Sequence, residues 1–178
     1  MVFDEAYHEY VRDSGYPDTI ELVRQGRPVA VLRTFSKIYG LAGLRIGYGI
    51  TTPEIVDYLN RVRNPFNTNS LAQKAAFAAL GDEEHVAISR TVNETEMDIV
   101  EKGLRELRLL PIPSQANFLY FDTLRNGHEV FHRLLREGII VRHIMGSMIR
   151  VTIGKPEENT RKTTGNPKEI YRTTMGKP

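Results

Sequence analysis

Thr34-Phe35-Ser36-Lys37-Ile38-Tyr39-Gly40-Leu41-Ala42-Gly43-Leu44-Arg45-Ile46-Gly47-Tyr48 decides how the rest of the chain reads. Just before it, Pro28 to Phe35 (PVAVLRTF) is β-branched and apolar and predicts a buried strand. Just inside its end, Ile46 to Ile50 predicts another short strand. Lys37 therefore sits past the end of a buried strand, in a segment of glycines and small residues. A lysine held there is desolvated, which favours the neutral, nucleophilic amine. Thr34 and Ser36 flank it with hydroxyls, and Arg45 follows eight residues on. Hydroxyls and a forked guanidinium suit a phosphate dianion.

Outward from that stretch, strands and helices alternate, an α/β or α+β pattern. Met1-Val2-Phe3 reads as the last piece of a buried strand, with Asp4-Glu5-Ala6-Tyr7 as the turn leaving it. Pro53 to Val62 predicts a helix, with Thr52 as N-cap and proline in the first turn. Beyond the turn at Asn64-Pro65, helices are predicted over 71–80 and about 83–107, the second with Ile88, Val92, Ile99, Val100, Leu104 and Leu107 near a 3.6-residue spacing. Pro111 and Pro113 break the chain. Strands are predicted over 117–122, 139–141 and 148–153, and a helix over 127–137 with Val130, Phe131, Leu134 and Leu135 inward. These elements imply domains over 1–63 and 64–159. The tail over 160–178 has few large apolar residues and no helical stripe, which predicts poor order.

Composition excludes several function classes. The 178 residues carry 24 Lys+Arg and 22 Asp+Glu, a net charge of +2. The excess is local: residues 155–178 hold six basic and three acidic residues, so the body is close to neutral. That argues against a nucleic-acid partner, which needs basic residues clustered on one face. No apolar run approaches the ~18 residues of a membrane span. Cysteine is absent, which removes disulfides and thiolate metal sites and suits a cytoplasmic protein. No signal peptide opens the chain.

A Schiff-base-forming amine beside a phosphate site points to pyridoxal phosphate as cofactor. That chemistry also needs a carboxylate on the pyridine nitrogen, which Asp4 could supply, with Tyr7 in reach of the ring's phenolic oxygen. Each residue also has a plainer reading. Lys37 alone would be a solvated surface lysine, Asp4 and Glu5 would cap a turn, and Arg45 would pair with an acid.

The blocks together resemble fold-type I pyridoxal-phosphate aminotransferases, and within them the histidinol-phosphate aminotransferase family. The matching blocks are Asp4-Glu5-Ala6-Tyr7, Thr34-x-Ser36-Lys37, Gly40-Leu41-Ala42-Gly43-Leu44-Arg45-x-Gly47-Tyr48, Asn64-Pro65-Phe66-Asn67, Pro113-Ser114-x-Ala116-Asn117-Phe118, Gly138-Ile139-Ile140-Val141-Arg142 and Ile149-Arg150-Val151-Thr152-Ile153-Gly154. The resemblance runs from residue 1 to about 159. It implies an α/β fold: an incomplete large domain of the pyridoxal-phosphate transferase type, then a smaller α+β C-terminal domain. It implies that Lys37 binds the cofactor and shuttles the proton, Asp4 pairs with the pyridinium and Tyr7 bonds the phenolic oxygen. Thr34, Ser36 and Arg45 would hold the cofactor phosphate, Arg150 the substrate's carboxylate or polar end, and Arg142 its phosphate. The implied substrates are histidinol phosphate and 2-oxoglutarate, exchanged for glutamate, in a homodimer. The first strand is present only as its last residues, so the chain reads as the back part of a longer protein, inactive by itself. Two alternatives remain: a non-catalytic remnant, or an aminotransferase for an aromatic or other amino acid.

His128-Glu129-Val130-Phe131-His132 matches the H-E-x-x-H pattern of zinc proteases. On a helical wheel, however, both histidines lie roughly 110° from the centre of the apolar face. No third ligand is evident, so no metal site is assigned.

Overall fold

The computed structural model describes residues 1–159. Elements run β1 (Val2–Asp4), α1 (Thr19–Arg24), β2 (Ala30–Thr34), β3 (Gly47–Thr51), α2 (Pro53–Val62), α3 (Ser70–Leu80), α4 (Glu83–Glu106), β4 (Pro111–Ile112), β5 (Phe118–Asp122), α5 (Gly127–Arg136), β6 (Arg142–Met145) and β7 (Met148–Thr152). They divide into two compact units, Met1–Ser89 and Arg90 onward. The sequence reading put a boundary at 63/64. The two compact units part inside α4, whose first turn is hydrogen-bonded within the first unit through His85. The expected tail over 160–178 lies outside the described residues.

The first unit is built on a three-stranded sheet in the order β1-β2-β3. β1 pairs parallel with β2, Asp4 opposite Leu32; β2 pairs antiparallel with β3, Thr34 opposite Gly47. α1 makes the crossover between the parallel strands, started by the Asp18 carboxylate, which accepts from the amides of Ile20 and Glu21. The sequence reading missed it because six residues give too little periodicity. β2 differs from the buried strand expected: Val31 is fully buried, but Leu32 on the other face is 44% exposed. One face of this sheet is covered and the other is not, so burial alternates. β3 lies one residue later than expected, and Gly47 opens it for a steric reason. A Cβ there would lie 2.8 Å from the Arg33 carbonyl oxygen, so any side chain would push β3 off β2.

α2 spans the residues expected; Thr52 is extended ahead of Pro53 but its side chain makes no capping hydrogen bond. Asn69 caps α3, accepting from Ala72 N at 2.8 Å. Asp82 caps α4 by accepting from His85 N at 3.0 Å.

The second unit folds around an antiparallel sheet in the order β4-β5-β7-β6. Alternate residues of β5 (Leu119, Phe121) and β7 (Ile149, Val151) join Met97, Val100 and Leu104 of α4 and Val130 and Leu134 of α5 in one buried cluster. The stripe expected on α4 is corrected. Ile88 and Ile99 are exposed, while Glu96 and Met97 are buried. Asn159 makes Glu96 tolerable there by donating to its carboxylate at 2.8 Å. On α5, Val130 and Leu134 are buried as expected, but Leu135 is 43% exposed. The strand expected over 139–141 is also corrected. Ile139 and Val141 are buried, yet they plug the core from the connection after α5, which turns at Gly138 (φ +75°). β6 starts at Arg142, because pairing with β7, not apolarity, decides where it runs.

Candidate active site

Three separate segments converge on one end of the first unit's sheet. β1 and β2 run parallel, so Asp4 and Thr34 both mark carboxyl ends, where ligands of open α/β sheets bind. β3 runs the other way, so its first residue, Gly47, lies opposite Thr34, and Arg45 arrives at the same end. Asp4 is thus brought to the same sheet end as Thr34, Ser36, Lys37 and Arg45.

The Lys37 loop is held by its own backbone and by two buried side chains. Phe35 and Ile38, on either side of Ser36-Lys37, are each 3% exposed. Gly40 N donates to Lys37 O at 2.9 Å, and Leu41 N to Phe35 O at 2.9 Å. Gly40 has φ +69°, which a side chain would strain. Lys37 itself is half-buried. Its Nζ lies 5.1 Å from the centroid of the Tyr7 ring, within cation–π range. Sequence reading associated these two residues, and the structure brings them together.

Ser36 N donates to Thr34 Oγ1 at 3.0 Å, so Thr34 shapes the turn into Ser36. Arg45 Nη1 donates to Ala42 O at 2.8 Å and lies 3.5 Å from Ser36 Oγ. A guanidinium beside a hydroxyl is a donor set for an anion. Arg45 is in the left-handed region (φ 53°, ψ 54°), which costs a non-glycine residue ~1–2 kcal/mol. The Asp4 carboxylate accepts from Ala6 N at 3.1 Å and is exposed at the strand end.

Beside these residues lies a polar cluster that sequence reading missed. Glu5 is 3% exposed. Its carboxylate accepts from Thr19 Oγ1 (2.5 Å), Tyr16 OH (3.1 Å), Arg33 Nε (3.0 Å) and Arg33 Nη2 (2.9 Å), with His8 Nδ1 at 3.5 Å. Burial alone would raise its pKa. The hydrogen bonds from Thr19 and Arg33 and the charges of His8 and Arg33 outweigh that and hold it below the usual glutamate value. Burial works against the Arg33 charge as well, but Glu5 more than offsets it and the Arg33 pKa goes up. The pair ties the turn after β1 to β2, and so ties Asp4 and Tyr7 to the strand that leads into Lys37.

In the second unit, Arg142 of β6 and Arg150 of β7 are direct cross-strand partners. They share the sheet face opposite Ile149 and Val151. Like charges directly opposed destabilise a sheet unless something neutralises them. The Arg150 guanidinium lies 4.5 Å from the centroid of the Phe118 ring, and its Nε is buried with no hydrogen-bond partner among the described residues. A buried guanidinium donor with no partner among the described residues, on a sheet face that also carries Arg142, is suited to a phosphate or carboxylate.

His128 and His132 are exposed on α5, as the helical wheel indicated, with their Nε2 atoms 3.1 Å apart. The His143 ring lies 6.1 Å from that of His128, but its Nε2 is 3.1 Å from the Gly146 carbonyl oxygen. Among the described residues, no group of three or more His, Cys, Asp or Glu is arranged to hold a metal ion. Among them also, no helix is long and apolar enough to cross a membrane.

Comparisons with known proteins identify the fold. Histidinol-phosphate aminotransferase of Moorella thermoacetica is 52% identical over 164 residues, which cover 89% of this chain and 42% of that protein. Histidinol-phosphate aminotransferase 2 of Pseudomonas fluorescens is also 52% identical, over 165 residues, 90% of this chain and 45% of that protein. Among solved structures, the Sinorhizobium meliloti histidinol-phosphate aminotransferase in complex with pyridoxal-5'-phosphate superposes with a TM-score of 0.85 at 29% identity. That alignment covers 97% of this chain and 49% of the other. The chain therefore spans about half the length of the relatives it matches, and its fold is that of part of an aminotransferase. The family match extends over residues 1–164, through both units and every block around Lys37 and Arg150: the chain belongs to the aminotransferase class I and II family.

Proposed function

We propose that this chain is the lysine-bearing part of a pyridoxal-phosphate-dependent aminotransferase that moves the amino group of histidinol phosphate to 2-oxoglutarate. The observation that carries the reading is the Lys37 amine against the Tyr7 ring, at the sheet end it shares with Asp4, Thr34, Ser36 and Arg45. That set of donors and acceptors fits the cofactor: an amine for its aldehyde, a carboxylate for its ring nitrogen, and a guanidinium with hydroxyls for its phosphate. Bound pyridoxal phosphate supplies an electron sink for the bond broken at the substrate's α-carbon.

The chain's own residues divide the remaining work. Lys37 Nζ binds the cofactor covalently and, when free, carries the proton to and from the substrate's α-carbon. Asp4 keeps the ring nitrogen protonated through its negative charge. Tyr7 donates to the phenolic oxygen. Arg45, Ser36 and Thr34 hold the phosphate. Arg150 takes a carboxylate or the corresponding polar end of the substrate, and Arg142 takes the substrate phosphate. Two cations on one sheet face suit a reaction in which one substrate ends in a phosphate monoester and the other in carboxylates. A homodimer in the cytoplasm belongs to the same proposal, as does the small domain over 64–159.

The test is reductive trapping. The protein is incubated with pyridoxal phosphate, reduced with borohydride and mapped by peptide. The modification is expected on Lys37; a label on Lys74 or Lys102 in its place would overturn the assignment. Lys37→Ala is expected to remove the label and, in a full-length protein carrying this segment, all turnover. Glutamate formation from histidinol phosphate and 2-oxoglutarate then tests the substrates. None is expected from the 178-residue chain by itself, whose relatives use about twice its length.

A further inference from the structure

We propose that His85 is a positioning residue for Lys37, a role that rests on the reading of Lys37 as the cofactor-binding amine. His85 is 48 residues away in sequence, in the first turn of α4, and it meets the loop at one point. Its Nε2 lies 2.9 Å from the carbonyl oxygen of Ile38, the residue after Lys37.

The contact is built from both sides. On the helix side, Asp82 accepts from His85 N at 3.0 Å, which fixes the first turn and the direction in which the imidazole leaves it. On the loop side, the Ile38 side chain is buried and the Lys37 carbonyl is taken by Gly40 N. The Ile38 peptide is then held at its side chain by packing and at its oxygen by His85. A peptide held in this way resists rotation; it joins the Cα atoms of Ile38 and Tyr39, so Lys37 stands one residue before it and the constraint reaches Lys37 through the Ile38 backbone. The imidazole Nε2–H donates and the carbonyl accepts. Without that donor the Ile38 carbonyl would have to find another partner, and the loop could twist about the bonds between Lys37 and Gly40. Lys37 Nζ would then lose its station over the Tyr7 ring. The role is mechanical: His85 touches neither Lys37 Nζ nor Tyr7 in any contact described, and it acts through one backbone carbonyl.

The experiment compares His85→Leu, which removes the donor at similar bulk, with His85→Gln, which restores an N–H at similar reach. Each variant is incubated with pyridoxal phosphate, reduced with borohydride and peptide-mapped, and amide exchange of residues 36–41 is followed by mass spectrometry without cofactor. His85→Leu is expected to lower labelling of Lys37 about two- to tenfold, the worth of one hydrogen bond. It is also expected to speed exchange at Gly40 and Leu41. Labelling of Lys74 and Lys102 should not change, and His85→Gln should recover Lys37 labelling to within about twofold. A general loss of structure would move all lysines together and would not be rescued by glutamine. Wild-type labelling and exchange in His85→Leu would overturn the positioning role while leaving Lys37 as the cofactor-binding amine. So would a glutamine variant as impaired as the leucine one. Absence of preferential Lys37 labelling in the wild type would overturn the functional reading and this inference with it.

Discussion

The two units hold their candidate residues in different ways. The second unit carries Arg142 and Arg150 on a sheet whose other face is sealed by a core of thirteen buried residues among those described. The first unit buries seven hydrophobic side chains, two of them alanines, and leaves Leu59, Phe66, Leu71 and Phe77 more than half exposed. Yet it is the first unit that gathers six candidate groups from three segments at one sheet end. It does so with directional bonds: the Glu5–Arg33 pair, the closed hydrogen bonds of the Lys37 loop, and His85 on Ile38. Apolar burial decides how firmly a unit is folded but is indifferent to direction. Hydrogen bonds and ion pairs add less net stability but fix orientation.

The largest effect expected from this contrast is in the second unit's core. Phe121→Ala should cost about 3–5 kcal/mol, the usual range for emptying a buried phenylalanine site. Phe77→Ala, at 83% exposure in the first unit, should change stability by no more than about 0.5 kcal/mol. Urea denaturation of both variants checks the pair, and equal losses would break the comparison.

A smaller effect is expected from the polar frame of the first unit. Glu5→Gln keeps the shape but removes the charge that Arg33 meets, and should cost about 2–3 kcal/mol at neutral pH. The pH dependence follows from the sign of the shift. The Glu5 pKa is lowered on folding, so its contribution is complete above the ordinary glutamate range. It is lost as pH falls through that range and on through the lowered folded value, below which the carboxylate is protonated in both states. Stability measured against pH should therefore fall on the acid side in the wild type, and less steeply in Glu5→Gln. Parallel acid limbs would show that Glu5 is not part of the frame.

The smallest effect is at Arg45. Its left-handed backbone is a strain that glycine would relieve, so Arg45→Gly should be stabilising by about 1 kcal/mol or neutral. The same substitution should weaken pyridoxal-phosphate binding, because it removes the guanidinium beside Ser36. Thermal melts and cofactor titration read the two effects separately. A destabilised variant with unchanged cofactor affinity would mean that Arg45 is structural.

Much of this was legible along the chain because its causes are local. α2, α3, α4 and α5 fall close to where capping residues, proline and helical spacing place them. The stretch around Lys37 combines a strand, a lysine, hydroxyls and an arginine within fifteen residues. The Asp82-x-x-His85 cap was also open to reading, but it says nothing of the Ile38 carbonyl. β6 was misplaced because Ile139 and Val141 are as apolar as a strand, and only pairing with β7 separates a core plug from a strand.

The sequence by itself determined the family and the positions of α2 to α5, and it singled out Lys37 as the candidate amine, since each depends largely on residues that stand near one another in the chain. Tertiary structure alone decided that Glu5 pairs with Arg33, that Arg142 faces Arg150 and that His85 reaches the Lys37 loop. Those contacts join residues 28, 8 and 47 positions apart, and such pairings depend on strand register and on where a capped helix turn comes to rest. No local propensity encodes either.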